Sequence, residues 1–252
     1  MSIHAPDGTA HYLYAIAEDT GKREYGFCGI HGALVYSISS GRLVAVVSDV
    51  PDKRIRPERR LLASHQEVLR CLMREATVLP MSFGIVGENS DAIRKLLAQN
   101  EQSFAEQLRR VAGKVEMGLR VVWDVPNIFE YFVRIHPELH AGRDRIFRCP
   151  REPSHEEMIE LGRLFERLLV QDRMASTEKV EAVLAPRCFE LKRNPPRTEQ
   201  EVMNLACLVG SDGVAAFETG VFKAAALFDD NFAFDYNGPW APHNFVELDI
   251  TL

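Results

Sequence analysis

Val115-Glu116-Met117-Gly118-Leu119-Arg120-Val121-Val122-Trp123 alternates cleanly along its length. Val115, Met117, Leu119, Val121 and Trp123 share one face, with Glu116 and Arg120 on the other. Period two with bulky apolar residues on one side marks a half-buried strand. Reading outward toward the C-terminus, residues 127–140 have helical character and residues 142–153 read as a charged connector. Ser154-His155-Glu156-Glu157 is a capping box, in which hydroxyl and carboxylate satisfy the orphan amides of a helix start. That helix continues through Met158, Leu161, Phe165 and Leu168, and a shorter one over 178–185 stops at Pro186. Residues 188–193 and 201–209 read as strands around Pro195-Pro196. Asp212 stands where a helix cap is expected, before inward-facing Val214, Phe217, Val221, Ala225 and Phe228. The order strand, helices, strand, strand, helix, strand is the βαββαβ of a modified ferredoxin-like domain.

The last strand of that series is Phe232-Ala233-Phe234-Asp235-Tyr236, which runs into Asn237-Gly238-Pro239-Trp240-Ala241-Pro242-His243-Asn244-Phe245-Val246. Two prolines around one tryptophan stiffen the backbone and hold a large ring in place. On the N-terminal side of Val115 a second α+β unit is expected. Residues 12–17 (YLYAIA) form a first strand, and 34–38 and 43–50 form a hairpin around Ser39-Ser40-Gly41. A helix over 58–76 carries Leu61, His65, Val68 and Leu72 on one stripe. Residues 78–86 read as one short strand, in which Pro80 marks an edge position or a bulge. A further helix begins near Ser90, buries Ile93, Leu97, Phe104, Leu108 and Val111, and ends at Gly113. The expected class is therefore α+β with two domains. Residues 1–113 form the smaller sheet-and-helix unit and 114–252 the ferredoxin-like one.

Composition narrows the function. The 252 residues are 46% hydrophobic and 26% charged, with a net charge of −6. That is an ordinary globular balance and lacks the basic stripe of a nucleic-acid binder. No apolar run approaches the ~18 residues of a membrane helix. Residues 1–11 lack the basic-then-apolar pattern of a signal peptide, so a cytoplasmic protein is expected. Cys28, Cys71, Cys149, Cys188 and Cys207 are scattered without a C-x-x-C pair, which points away from a disulfide framework or zinc site.

Chemical motifs are sparse. Phosphate-binding glycine loops, H-E-x-x-H and G-x-S-x-G are all absent from the sequence. Asp229-Asp230 offers too few oxygens for a hard cation. No catalytic residue, cofactor or metal is assigned. His65 lies on an inward stripe, where it would be either a general base or a core histidine with satisfied nitrogens. The basic run 53–60 and the looser set Arg143, Arg145, Arg148 and Arg151 are solvated faces or contacts for an acidic protein partner or RNA.

Taken in order along the chain, several segments resemble the GvpL/GvpF family of gas vesicle proteins. Tyr12-Leu13-Tyr14-Ala15-Ile16 resembles its opening strand, and residues 43–51 (LVAVVSDVP) resemble its "LxAVVSxVP". His65-Gln66-Glu67-Val68-Leu69 with Val78-Leu79-Pro80-Met81-Ser82-Phe83-Gly84 resembles "HxxVL…VLPxxFGT". Residues 115–121 resemble the strand that begins the family's second half. Asn204-Leu205-Ala206-Cys207-Leu208-Val209 resembles "NxAFLV", and residues 237–246 resemble the closing "GPWPPYNFV". Ala241 and His243 depart from the usual proline and tyrosine, as do Ser82 and Ile85 from an arginine-like residue and threonine.

The resemblance implies a non-enzymatic accessory protein for building gas-filled vesicles. Its partners would be the major gas vesicle shell protein and other accessory proteins, with no nucleic acid or membrane involved, and its location the cytoplasm and the gas vesicle. The candidate partner-binding or family-motif residues are Pro80, Phe83, Gly84, Gly238, Pro239, Trp240, Pro242, Asn244 and Phe245. An enzymatic or small-ligand α+β protein unrelated to gas vesicles is the alternative. A convergent polar pocket around His65 or Trp240 would favour that alternative.

Overall fold

The computed structural model describes residues 10–51, 54–148 and 151–247. It is an α+β protein with two antiparallel sheets. The chain packs as two compact units: the described residues of Met1–Glu116 together with those of Pro239–Leu252, and Met117–Gly238. The sequence-based division at 113/114 keeps 239–247 with the second half, whereas in the structure these residues lie with the first unit.

The first unit is built on β1 (Ala10–Glu18), β2 (Glu24–Cys28), β3 (Leu34–Ser40) and β4 (Leu43–Val50), followed by α1 (Arg59–Met73). Then come β5 (Val78–Pro80), β6 (Val86–Gly87), α2 (Ser90–Gln99) and α3 (Glu101–Val111). The strand order is β2-β3-β4-β1-β5, with β6 also paired to β1. β1 is the central strand and is covered on both faces. Tyr12, Tyr14, Ala15 and Ala17 meet Leu61, Val68, Leu69 and Leu72 of α1. Leu13 and Ile16 meet Ile93, Leu96, Leu97, Phe104 and Leu108 of α2 and α3. The facing pattern breaks at Tyr14, where Leu13 pairs with Val47 and Ala15 with Val46. One extra residue on one strand is a β-bulge.

The expected strand 78–86 is two short pieces along β1. Residues 81–85 loop away beside the bulge, and the Leu13 amide still reaches the Ile85 carbonyl at 3.0 Å. Gly41 (φ 61) closes the β3–β4 hairpin as expected. β2 escapes the sequence reading because it is five residues long and carries Gly26 at φ 70 in its middle. The helix expected to run from Ser90 to Val111 breaks at Asn100, whose side-chain amide donates to the Leu96 carbonyl at 2.9 Å. Such local bonds compete with the helix ladder. The N-cap of α2 is Asn89, one residue before the expected Ser90.

The second unit comprises β7 (Lys114–Trp123), α4 (Ile128–Ile135), α5 (Pro137–Phe147), α6 (His155–Leu184), β8 (Glu190–Asn194), β9 (Glu201–Gly210), α7 (Val214–Ala225) and β10 (Phe232–Trp240). The division between units falls inside β7 and inside β10. The sheet order is β10-β7-β9-β8. Met117, Leu119, Val121 and Trp123 of β7 enter one apolar core with Phe132, Leu168, Val180, Leu205 and Phe217, as the alternation requires.

Four expectations shift here. Residues 142–147 are helical rather than connector, and Gly142 is there for close packing: a Cβ would sit 3.3 Å from Leu161 Cδ1. The two helices expected over 154–185 are one helix of 30 residues. It crosses its polar middle because Ser176 and Thr177 are buried and Thr177 Oγ1 donates to the Arg173 carbonyl at 2.7 Å. Gly213, not Asp212, is the N-cap of α7. Finally, β10 runs on through Trp240, so the Gly-Pro-Trp corner is the end of an edge strand, where a residue without an N–H is tolerated.

Candidate functional site

The closing motif folds in two parts. Asn237, Gly238, Pro239 and Trp240 are exposed along the end of β10, with Gly238 at φ 125 and Trp240 38% accessible. From Ala241 onward the chain sinks into the first unit. Ala241, Pro242 and Phe245 are buried, the last fully. A 3-10 turn over His243–Phe245 shapes the segment. Asn244 is the anchor: its backbone N–H donates to Glu116 Oε2 at 2.8 Å and its Nδ2 to Oε1 at 2.6 Å. Glu116 is itself buried. Alternation puts it on the face opposite the apolar stripe, and that face is covered where the segment returns. Gln107 Nε2 adds a bond to the Glu247 carbonyl at 2.8 Å.

The second motif lies in the same unit. Pro80 ends β5, opposite Ala15, and is buried. Phe83 is half-buried with its ring centroid 5.8 Å from those of both Tyr12 and His65. Gly84 adopts φ 93, and its N–H donates to the Tyr12 hydroxyl at 3.2 Å. The structure thus joins Pro80, Phe83, Gly84, Pro242, Asn244 and Phe245 in one unit, mostly as packing. Of the sequence-assigned set, Gly238, Pro239 and Trp240 present surface.

Between the two motifs sits a buried polar nest. The Tyr12 hydroxyl and His65 Nδ1 are 2.9 Å apart. The hydroxyl also accepts from the Gly84 N–H, and whether it donates to Nδ1 or accepts from it follows the tautomer of the ring. The Nε2 of His65 is buried without a hydrogen bond of full geometry, although the Met81 carbonyl bears on the ring, and Nε2 of His243 is buried without a hydrogen-bond partner. His65 is a core histidine, with Nδ1 bonded to the Tyr12 hydroxyl and the Met81 carbonyl bearing on the ring. The Tyr14 hydroxyl accepts from the Ile30 N–H at 2.8 Å and pairs with Ser48 Oγ at 2.8 Å. Gly29 makes room for it, since a Cβ there would lie 1.9 Å from that oxygen.

Burial raises both tyrosine pKa values. It pushes His65 down to about 4, with the neighbouring His243 adding in the same direction and the Met81 carbonyl opposing. Burial also lowers His243. Both imidazoles are neutral at pH 7. Among the described residues, no carboxylate is at hydrogen-bond distance from His65, so the nest lacks that partner of a general base. A separate cleft of about 850 Å³ holds Asp19, Arg23, Arg42, Glu101 and Arg109. Its charges largely neutralise one another: Arg23 forks onto Asp19 at 2.8 and 3.0 Å, and Arg42 meets Glu101 at 3.3 Å. Among the described residues, no group of three or more His, Cys, Asp or Glu side chains could hold a metal ion.

Comparison with known proteins gives this geometry a context. The profile of the family described as "Gas vesicle synthesis protein GvpL/GvpF" matches residues 10–247. The chain belongs to this family. A GvpL/GvpF relative named gas vesicle protein F from Streptomyces sp. is 30% identical over 245 residues, covering 94% of this chain and 99% of that protein. Gas vesicle protein F from Nostoc sp. is 27% identical over 240 residues, covering 94% and 98%. The crystal structure of the gas vesicle protein GvpF from Anabaena sp. superposes with a TM-score of 0.83 at 26% identity, covering 96% of this chain and all (100%) of that one. No helix among the described residues is long and apolar enough to cross a membrane.

The site residues that sequence reasoning missed are Glu116, Tyr14, Ser48 and His243. Only Glu116 had a signal, as a carboxylate inside a strongly alternating strand. The others become partners through tertiary contacts.

Proposed function

We propose that this GvpL/GvpF member is a non-enzymatic accessory protein of gas vesicle assembly, acting in the cytoplasm and at the vesicle. In this reading it binds the major gas vesicle shell protein and other accessory proteins, without cofactor, nucleic acid or membrane. The observation that carries the reading is the family match from residue 10 to 247, with whole-chain similarity to proteins named gas vesicle protein F. Two α+β domains, 1–113 and 114–252, belong to this reading, and the β10-β7-β9-β8 order supports a modified ferredoxin-like second one.

A shell subunit exposes apolar surface and strand edges before it is incorporated, and these are aggregation hazards. β10 is an edge strand, and Pro239 and Trp240 are exposed at its end. An edge with an aromatic lip suits strand addition or a groove-bound helix. The test is pressure-collapsible turbidity in vesicle-forming cells that lack the chain, with and without its restoration. Loss and recovery of collapsible turbidity is the expected result; undiminished vesicles in the deletion would refute a required role. Trp240→Ala should weaken capture of the shell protein while leaving the fold intact, and unchanged capture would move the contact elsewhere.

A further inference from the structure

We propose that residues 241–247 form an acid-released strap: protonation of His65 and His243, whose Nε2 atoms are both buried, ejects this segment from the first unit. The first support is geometric. The strap is held by Ala241 and Phe245 in apolar packing, by Asn244 on Glu116 and by Gln107 on the Glu247 carbonyl. His243 lies in the middle of those anchors, with its Nε2 buried and unpartnered. His65 of α1 is 1% exposed, and its Nε2 is buried without a hydrogen bond of full geometry, the Met81 carbonyl being the neutral acceptor that bears on the ring. Tyr12, Tyr14 and Phe83 ring it at centroid distances of 5.6, 5.7 and 5.8 Å.

The second support is electrostatic. Among the described residues, the titratable groups bearing on His65 are Tyr12 and Tyr14 of β1, both neutral, and His243 of the strap. Glu116 of β7 faces the strap one residue on and spends both oxygens on Asn244. Among the described residues, neither imidazole has a carboxylate at hydrogen-bond distance to offset a positive charge. An added proton would therefore place a charge in apolar surroundings, and a second would add repulsion. Opening the strap hydrates His243 and relieves both costs.

His11 provides an internal contrast. It is equally buried in the same unit, but its Nδ1 meets Asp49 and Tyr36 at 3.1 and 2.9 Å, and its Nε2 meets Ser90 at 3.0 Å. A carboxylate thus stands against the His11 ring, whereas none is at hydrogen-bond distance from either imidazole of the strap pair among the described residues.

The sign follows from linkage. A base whose folded pKa lies below its unfolded value favours the closed state at neutral pH and loses that advantage as pH falls. Opening should grow by up to about tenfold per pH unit for each coupled proton below the ordinary histidine value near 6.5.

The experiment is hydrogen exchange by mass spectrometry on the full chain between pH 7.5 and 4.5, corrected for intrinsic exchange. Protection of the amides at 243–247 should fall at least tenfold between pH 7 and 5 and recover on neutralisation, while β9 holds its protection. His243→Gln should flatten that profile. Unchanged strap protection down to pH 4.5, or an equally steep profile in His243→Gln, would overturn the proposal. Imidazole NMR on the unmodified chain guards against a misfolded variant. Both rings should stay neutral while the strap is closed, and titration of either near 6.5 with the strap still protected would refute the switch.

Discussion

The two units bury their interiors in different ways. The second unit closes over a broad apolar core, with Trp123 set edge-on against Phe132 at 5.2 Å and near Phe232 at 6.3 Å. In the first unit, two tyrosines, a serine and a histidine share the central strand's surroundings with α1. An apolar core responds to lost volume and is indifferent to pH. A polar nest responds to lost partners and to protons. The contrast means that one chain should have two distinguishable weak points.

The largest effect belongs to the apolar core. Trp123→Ala should destabilise the second unit by about 3–5 kcal/mol, the range for removing a large buried aromatic ring. Differential scanning calorimetry should show this loss at pH 7 and pH 5 alike. A loss that depends strongly on pH would break the contrast. Next, Tyr14→Phe keeps the ring and deletes the hydroxyl, leaving the Ile30 amide and Ser48 Oγ without this partner. A cost of about 1–3 kcal/mol is expected, the usual penalty for buried polar groups left unsatisfied. A neutral substitution would mean that solvent or rearrangement satisfies them.

Acidification compares the two units within one molecule. His65 has a folded pKa of about 4 against an ordinary 6.5. Its contribution is complete above pH 6.5 and is lost as pH falls toward 4. At pH 5 the first unit should have lost about 2 kcal/mol from this one ring. Urea titrations followed by segment-resolved hydrogen exchange would read it. Equal losses in both units would assign the sensitivity to surface charge instead.

How much of this was legible beforehand follows the same divide. Strong alternation over 115–123, the capping box at Ser154 and the β3–β4 hairpin are local signals, and local physics decided them. The polar middle of α6 looked like a break because burial of Ser176 and Thr177 is a tertiary fact. β2 stayed hidden because a five-residue strand with a left-handed glycine has no period to read. In the site, the motif residues were visible but their roles were not. Phe245 and Pro80 look like recognition residues in a linear pattern and prove to be core. His243 acquires meaning only opposite His65, 178 positions earlier in the chain.

The smallest change in stability should come at the exposed end of β10. Trp240 is 38% exposed and follows Pro239 at the end of β10. Much of its ring is already hydrated, so Trp240→Ala should cost well under the ~3 kcal/mol of a buried tryptophan. An aromatic anchor at a protein interface carries about 2 kcal/mol or more, equivalent to a loss of roughly thirtyfold in affinity. Titration calorimetry with the solubilised shell protein, run beside a thermal melt, separates the two quantities. If binding drops while the melt holds, the exposed end of β10 is a contact surface. If both fall together, Trp240 belongs with the packing residues, and recognition must be sought on another face.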